Sequence, residues 1–247
     1  MSSNEPHVAK IAALIGDPAR ANILKALMDG RARTAKELAH AAGVSPQTTS
    51  GHLARLVDGG LLAVAKQGRH RYFHLANGLV AGALESLMAL AGERPVPKHH
   101  HQARIAADLR AARTCYDHLA GKLGVLLFDR MLATGCILPT GDGDDFVVSA
   151  EGRRLFAQLN IDIDGLATKT GQRRRFARAC LDWSERSPHL AGALGAALAA
   201  CCFQRGWLQR RRDSRAVTLT PAGVAALAGI FGLPPDQLGA PEEAARH

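Results

Sequence analysis

The sequence predicts a mainly α protein with short β-hairpins, an α+β chain in which an N-terminal unit is followed by a duplicated region. Three observations carry this reading. Residues 44–75 spell a helix closed by two glycines and then two short strands around a basic tip. A helix with its own start signal precedes it across a tight turn. Farther along, a series of residues recurs at an offset of 71, as in Leu119-Ala120-Gly121 and Leu190-Ala191-Gly192, the mark of an internal duplication.

Thr34-Ala35-Lys36-Glu37 forms a capping box, in which threonine and a glutamate three residues on satisfy each other's backbone donors. Leu38 and Ala39 then face inward, and Ala42-Gly43-Val44 makes the turn. Ser45-Pro46 opens the next helix, with a hydroxyl to cap the free N–H groups and a proline preset for the first turn. Leu53, Leu56 and Val57 fall at helical spacing and face a core, and Gly59-Gly60 ends the helix. The solvent side is then drawn from Ser45, Gln47, Thr48, Thr49, Ser50, His52 and Arg55. Short donors and acceptors of this kind suit the base edges of a DNA major groove, which admits one helix. Strands at 61–64 and 72–75 flank Lys66, Arg69, His70 and Arg71, a wing placed to lie along phosphates.

Helix, tight turn and helix make a helix-turn-helix. The chain here resembles the ArsR/SmtB family of winged-helix repressors. The matching residues are Asp17-Pro18-Ala19-Arg20, Glu37-Leu38-Ala39, Val44-Ser45-Pro46, His52-Leu53, Leu56, Gly60-Leu61-Leu62 and Gly68-Arg69-His70-Arg71-Tyr72. They cover roughly residues 5–92. The resemblance implies an N-terminal winged helix-turn-helix that binds operator DNA as a homodimer, and a transcription regulator acting as a repressor. The apolar helix Leu79–Ala91 would help pair two subunits, or pack on its own domain. The family's familiar metal positions are missing: the helix 34–42 has no cysteine, and the helix 79–91 has no histidine and one acid, Glu85.

At 247 residues the chain has room for two domains. The reading divides it into a DNA-binding domain at 1–92, a linker at 93–98 marked by Pro95 and Pro97, a C-terminal regulatory domain at 99–233 and a tail at 234–247. The net charge of +9 favours a polyanionic partner. It is not confined to the first domain, since Arg173-Arg174-Arg175, Arg178, Arg210-Arg211-Arg212 and Arg215 cluster in the second half. Those arginines are either added phosphate contacts or a solvated surface. No apolar run is long enough to span a membrane and the first ten residues lack a signal-peptide core, so the expectation is a cytoplasmic protein. His99-His100-His101 is a metal-binding tract or a polar helix start.

The duplication relates residues 112–159 to 177–230. Gly135 pairs with Gly206, Phe146–Ser149 with Val217–Thr220 and Gly152 with Gly223, all at an offset of 71. Upstream, Ala112–Asp117 matches Ala177–Asp182 at an offset of 65, so the second copy holds six extra residues. Each copy reads as an apolar helix, a glycine, two strands and a further helix, a winged-helix-like unit. The helices 123–134 and 194–205 are apolar on nearly every side, which marks them as buried rather than groove-reading.

The duplication also makes Cys115 equivalent to Cys180 and His118 equivalent to His189. If the copies pack about a pseudo-two-fold axis, these four converge and offer the mixed sulfur and nitrogen set that zinc accepts, with Asp117 or Asp182 nearby. The alternatives are small buried hydrophobes or redox-active thiols. Cys136, Cys201 and Cys202 read as core residues. The second half has no glycine-rich phosphate loop, nucleophile elbow or His-Glu-x-x-His, and Asp142, Asp144 and Asp145 lack the spacing of a calcium loop. The expectation is a non-enzymatic regulator whose C-terminal domain senses a metal, thiol-reactive or small-molecule effector. An enzyme or effector-binding module fused to a DNA-binding domain is the alternative.

Overall fold

The computed structural model describes residues 8–68, 70–92, 107–141, 144–169, 175–212 and 214–238. The chain forms two compact units, Met1–Leu84 and Glu85–His247. Its architecture is the predicted one, helices with small antiparallel hairpins that recur toward the C-terminus. The expected linker at 93–98, His99–His101, Asp142, Arg173 and Arg174 lie outside the described residues.

The first unit runs α1 (Val8–Ile15), α2 (Pro18–Ala26), β1 (Arg33–Thr34), α3 (Ala35–Ala42), α4 (Pro46–Asp58), β2 (Leu62–Gln67) and β3 (His70–Leu75), and α5 (Gly78–Gly92) follows. The division between units falls inside α5, between Leu84 and Glu85. Asp17 caps α2 by accepting from the Arg20 N–H at 2.9 Å. The buried Arg20 guanidinium turns back to donate to the carbonyls of Leu14 and Ala13. The capping box at Thr34 and Glu37 is formed, and Gly43 ends α3 in the left-handed region at φ 68°. Ser45 caps α4 by accepting from the Thr48 N–H at 3.1 Å. Each such cap contributes about 1 kcal/mol. Each of the fully buried side chains Ile23, Leu24, Leu38, Leu56 and Leu75 contributes about 1.5–3 kcal/mol. The core therefore decides that the helices pack, and the caps decide where they start. The sheet has the order β1-β3-β2, and its register sets Lys66 opposite Arg71 and Gln67 opposite His70 around Gly68.

In the second unit, helical residues 107–111 precede two copies of one pattern. The first copy is β4 (Arg113–Cys115), β5 (His118–Ala120), α6 (Gly121–Ala133), β6 (Ile137–Pro139), β7 (Phe146–Val148) and α7 (Ala150–Gln158). After α8 (Ile163–Lys169) the second follows: β8 (Arg178–Leu181), β9 (Pro188–Ala191), α9 (Gly192–Gln204), β10 (Leu208–Arg210), β11 (Val217–Leu219) and α10 (Pro221–Phe231). Ser149 and Thr220, equivalent residues, cap α7 and α10. The helices α6 and α9 start two residues before the expected Leu123 and Leu194. Gly121 and Gly192, at φ +76° and +84°, turn the chain from strand directly into helix.

The copies interleave. The Val217 N–H donates to the Ala112 carbonyl, and its counterpart Phe146 donates to Ala177, both at 3.0 Å. Thr114 donates to the Arg215 carbonyl at 2.9 Å, and Ala179 donates to Asp144 at 2.7 Å. The first hairpin of each copy is thus bonded to the wing of the other, an approximate two-fold arrangement. Leu127, Phe128 and Met131 of α6 and Leu194, Leu198 and Cys202 of α9 fill the common core with Ile137, Phe156, Leu208 and Leu227. As expected, Cys136, Cys201 and Cys202 are buried there.

Several of the cationic residues in this unit are engaged. Arg215 is 7 % exposed and donates to Glu85 Oε1 at 3.1 Å, so it is not available to phosphate. Arg175 pairs with Asp145 and Arg211 with Asp108, while Arg210 lies 4.2 Å over the Phe203 ring.

Candidate metal centre and nucleic-acid interface

The two short hairpins β4–β5 and β8–β9 build the candidate metal centre. Their registers set Cys115 directly opposite His118 and Cys180 directly opposite His189. Each hairpin therefore presents one thiol and one imidazole side by side, as cross-strand neighbours do. The convergence expected from the duplication is realised: the four ligand atoms all lie within 4.8 Å of one another, and all four residues are buried. Tetrahedral zinc has bonds of roughly 2.0–2.3 Å, which sets its ligand atoms about 3.3–3.8 Å apart. Closing this cluster around an ion needs only small side-chain shifts.

The helices seat the imidazoles crosswise. A Cβ on Gly124 of α6 would lie 3.5 Å from His189 Cβ, and one on Gly195 of α9 would lie 3.3 Å from His118 Cβ. Each histidine is thus backed by the helix of the other copy. The two rings sit 5.1 Å apart between centroids.

The polar surroundings favour a bound cation. Nε2 of both histidines is buried without a hydrogen-bond partner. An unsatisfied buried group costs about 1–3 kcal/mol, and an ion would supply the missing partner. On the other ring nitrogen, His118 Nδ1 is 3.2 Å from Asp117 Oδ1. His189 Nδ1 is 3.1 Å from Asp182 Oδ2, an ion-pair contact whose N–H lies off the hydrogen-bond line. A carboxylate behind a ligating imidazole fixes its tautomer and orientation.

The thiols divide their roles. Burial, then the neighbouring Cys180 and Glu85, push the Cys115 thiol well up and keep its proton on. Cys180 is held far below the usual thiol range by its contact with Cys115, reinforced by His118 and His189 against burial. Burial disfavours a charged His189, but Asp182 and Cys180 outweigh it and push the imidazole up to about 9. Burial likewise opposes the Asp182 carboxylate, yet His189, Arg113 and the Gly121 N–H hold it well below the ordinary range.

On the first unit the expected DNA-facing residues divide. Ser45, Gln47, Thr48, Ser50 and Arg55 are exposed on α4. Thr49 corrects the sequence reading: it is 0 % exposed, and its hydroxyl donates to the Ser45 carbonyl at 2.8 Å. It stands four residues before Leu53 and shares the core face. His52 is half-buried, with Nδ1 3.9 Å from Asp17 Oδ1. Val57, expected in the core, is only half-buried. Lys66, His70 and Arg71 are exposed on the wing, and Arg69 lies outside the described residues. The roles of Asp182 and Arg113 are not legible from the local sequence around them. Asp182 is the equivalent of Asp117, and that equivalence was the available signal.

Two helices across a tight turn, a wing and an exposed polar face on the second helix define a winged helix-turn-helix regulator domain. Residues 15–65 match the model of a family described as a helix-turn-helix domain. A helix-turn-helix-type transcriptional regulator of Bacillus subtilis (strain 168), YdfF, itself described as uncharacterized, is 42% identical over 218 residues, covering 88% of this chain and 94% of that protein. The chain belongs to this family of helix-turn-helix-type transcriptional regulators, which are DNA-binding proteins rather than enzymes. Among solved structures, a homodimeric winged helix-turn-helix DNA-binding domain from Mycobacterium bovis, described as a possible ArsR-family regulator, is 27% identical, covers 41% of this chain and 99% of its own, and has a TM-score of 0.34. The cadmium metal-sensor CMTR from Mycobacterium tuberculosis is 29% identical, covers 38% of this chain and 100% of its own, and has a TM-score of 0.30. No helix among the described residues is long and apolar enough to cross a membrane.

Proposed function

We propose that the chain is a metal-responsive repressor of the ArsR/SmtB type, which binds operator DNA as a homodimer and holds one zinc-class ion per chain on Cys115, His118, Cys180 and His189. The observation that carries this is the buried cluster of four ligand atoms within 4.8 Å, with both imidazole Nε2 atoms lacking a partner. Two thiolates neutralise a divalent ion, and two imidazoles complete a closed tetrahedral set of the kind that retains metal rather than exposing it to substrate. In the domain organisation that goes with this reading, residues 1–92 bind DNA, 93–98 link, 99–233 sense the effector and 234–247 form a tail. Exposed Leu79 on α5 and Val8 and Ile11 on α1, all in the first unit, support pairing of two subunits. Ser45, Gln47, Thr48, Ser50 and Arg55 enter the groove, with Lys66, Arg69, His70 and Arg71 along the phosphates and His52 bracing the helix. Metal occupancy shifts the balance between DNA-competent and incompetent dimers in proportion to its differing affinity for the two.

Fluorescence anisotropy on the duplex upstream of the protein's own gene, with and without zinc, tests this. Operator binding is expected to fall steeply with added salt and to change at least fivefold on zinc addition. Arg71→Ala should weaken all duplexes alike, whereas Gln47→Ala should reduce discrimination by about 1–3 kcal/mol. Operator affinity indifferent to zinc sinks the sensor reading; equal affinity for random duplex sinks the repressor reading.

Proton release provides a second check. Near neutral pH the free centre carries a proton on Cys115 and one on His189, raised to about 9, while Cys180 is already a thiolate. Ligands must be deprotonated to bind a metal, so zinc should release protons from Cys115 and His189. Affinity should accordingly rise with pH up to about 9. Calorimetry in buffers of different ionisation enthalpy measures the number, and release of no protons contradicts the assignment.

A further inference from the structure

Resting on the reading of those four residues as metal ligands, we infer that Asp182 is the positioning residue of the centre: it fastens the two copies together and presets the Cys180–His189 half, onto which the Cys115–His118 half closes. Asp182 lies at the head of the segment where the second copy holds its six extra residues. Its side chain is 0 % exposed and meets both copies at once. Oδ1 accepts from Arg113 of the first copy at 2.7 Å and from the Ser184 N–H at 2.9 Å, the Ser184 hydroxyl at 2.8 Å and the Glu185 N–H at 3.2 Å. Oδ2 accepts from the Gly121 N–H, at the start of α6, at 2.6 Å and faces His189 Nδ1 at 3.1 Å.

Arg113 is itself wholly buried, with the Trp183 ring 4.7 Å over its guanidinium. A carboxylate held by this many donors has one available position, and it sets a fixed negative charge 3.1 Å from His189 Nδ1. Its counterpart Asp117 also stands behind a histidine, at 3.2 Å from His118 Nδ1, but its side chain is 30 % exposed. Water screens and competes for that contact, whereas the Asp182 contact is dry. The two histidines, equivalent by duplication, are therefore unequal as ligands: His189 faces a wholly buried carboxylate across an ion-pair contact, and His118 is hydrogen-bonded to one that is partly in water.

The experiment uses the full chain, prepared without a tag and stripped of metal, titrated with cobalt(II) and then competed with zinc. Asp182→Asn should weaken both ions by about 10- to 100-fold and alter the cobalt d–d bands, a change that a merely structural loss of stability does not produce. Asp182→Glu, which keeps the charge but lengthens the side chain in a wholly buried site, should recover only part of the spectrum. Asp117→Asn should cost less than about threefold. A wild-type spectrum and affinity in Asp182→Asn, or an equal loss in Asp117→Asn, overturns the inference while leaving the metal reading intact. A wild-type chain that binds neither ion overturns the metal reading, and this inference with it. If Asp182→Asn does not fold, the zinc-loaded wild type still decides: its His189 Nδ1–H should exchange with solvent far more slowly than that of His118, measured by NMR, and equal rates overturn the inference.

Discussion

Cys180→Ser is expected to reduce the zinc content of the purified, untagged chain from one ion to less than about a tenth of an ion per chain. A serine hydroxyl does not ionise near neutral pH, so the substitution removes the ligand that is already a thiolate in the free centre. If the roughly 10–16 kcal/mol of a structural zinc site is shared among four ligands, one ligand accounts for about 2.5–4 kcal/mol, a loss of roughly 70- to 900-fold in affinity. Cys202→Ser is the control. Cys202 is buried in the core on α9, where burial pushes its thiol up to about 12, and it lies outside the cluster. It should lower stability and leave the metal in place. Elemental analysis of both variants against wild type reads the result, and a full complement of zinc in Cys180→Ser would remove the ligand assignment.

Gly124→Ala has an expected sign opposite to helix propensity. In an exposed helix interior, alanine for glycine stabilises by about 1 kcal/mol. At Gly124 the added Cβ would lie 2.6 Å from the Leu119 carbonyl oxygen and 2.8 Å from its carbon. Those are backbone atoms of β5, one residue after His118, so relief of the clash drags the ligand strand away from α6. The expectation is a loss of about 3 kcal/mol in denaturant unfolding, together with weakened metal binding. Gly195→Ala, with the Leu190 carbonyl at 2.5 Å, should behave alike. Gly229→Ala, whose Cβ would meet nothing within 4 Å, should be neutral or stabilising. Equal effects at 124 and 229 would show that the close approach carries no weight.

These glycines also show what was legible beforehand. Gly121, Gly124 and Gly152 recur as Gly192, Gly195 and Gly223, and at each of the six a Cβ would run into backbone. The repeat was readable because the sites that tolerate no side chain cannot drift. The same pairing makes Cys115 and His118 equivalent to Cys180 and His189, which converge because the copies pack about an approximate two-fold axis. Thr49 was misplaced although its spacing of four from Leu53 pointed inward; residue type outweighed position, and its hydroxyl found a carbonyl within the helix. The burial of Asp182, Arg113, Glu85 and Arg215 was not legible. Each charge is balanced by a partner 69 or 130 positions away, and local pattern carries no information at that range.

The interleaving of the copies has a further consequence. Hairpins bonded reciprocally about an approximate two-fold axis resemble the arrangement of a symmetric dimer, here within one polypeptide. Joining turns a bimolecular encounter into an intramolecular one, so assembly of the centre does not depend on how much protein is present. It also lifts the rule that every change in a homodimer happens twice. Cys136 could stand where the other copy has Trp207, and Asp182 could become a buried clasp while Asp117 stayed in contact with water. The two halves of the cluster, equivalent by duplication, are thereby free to differ in their surroundings.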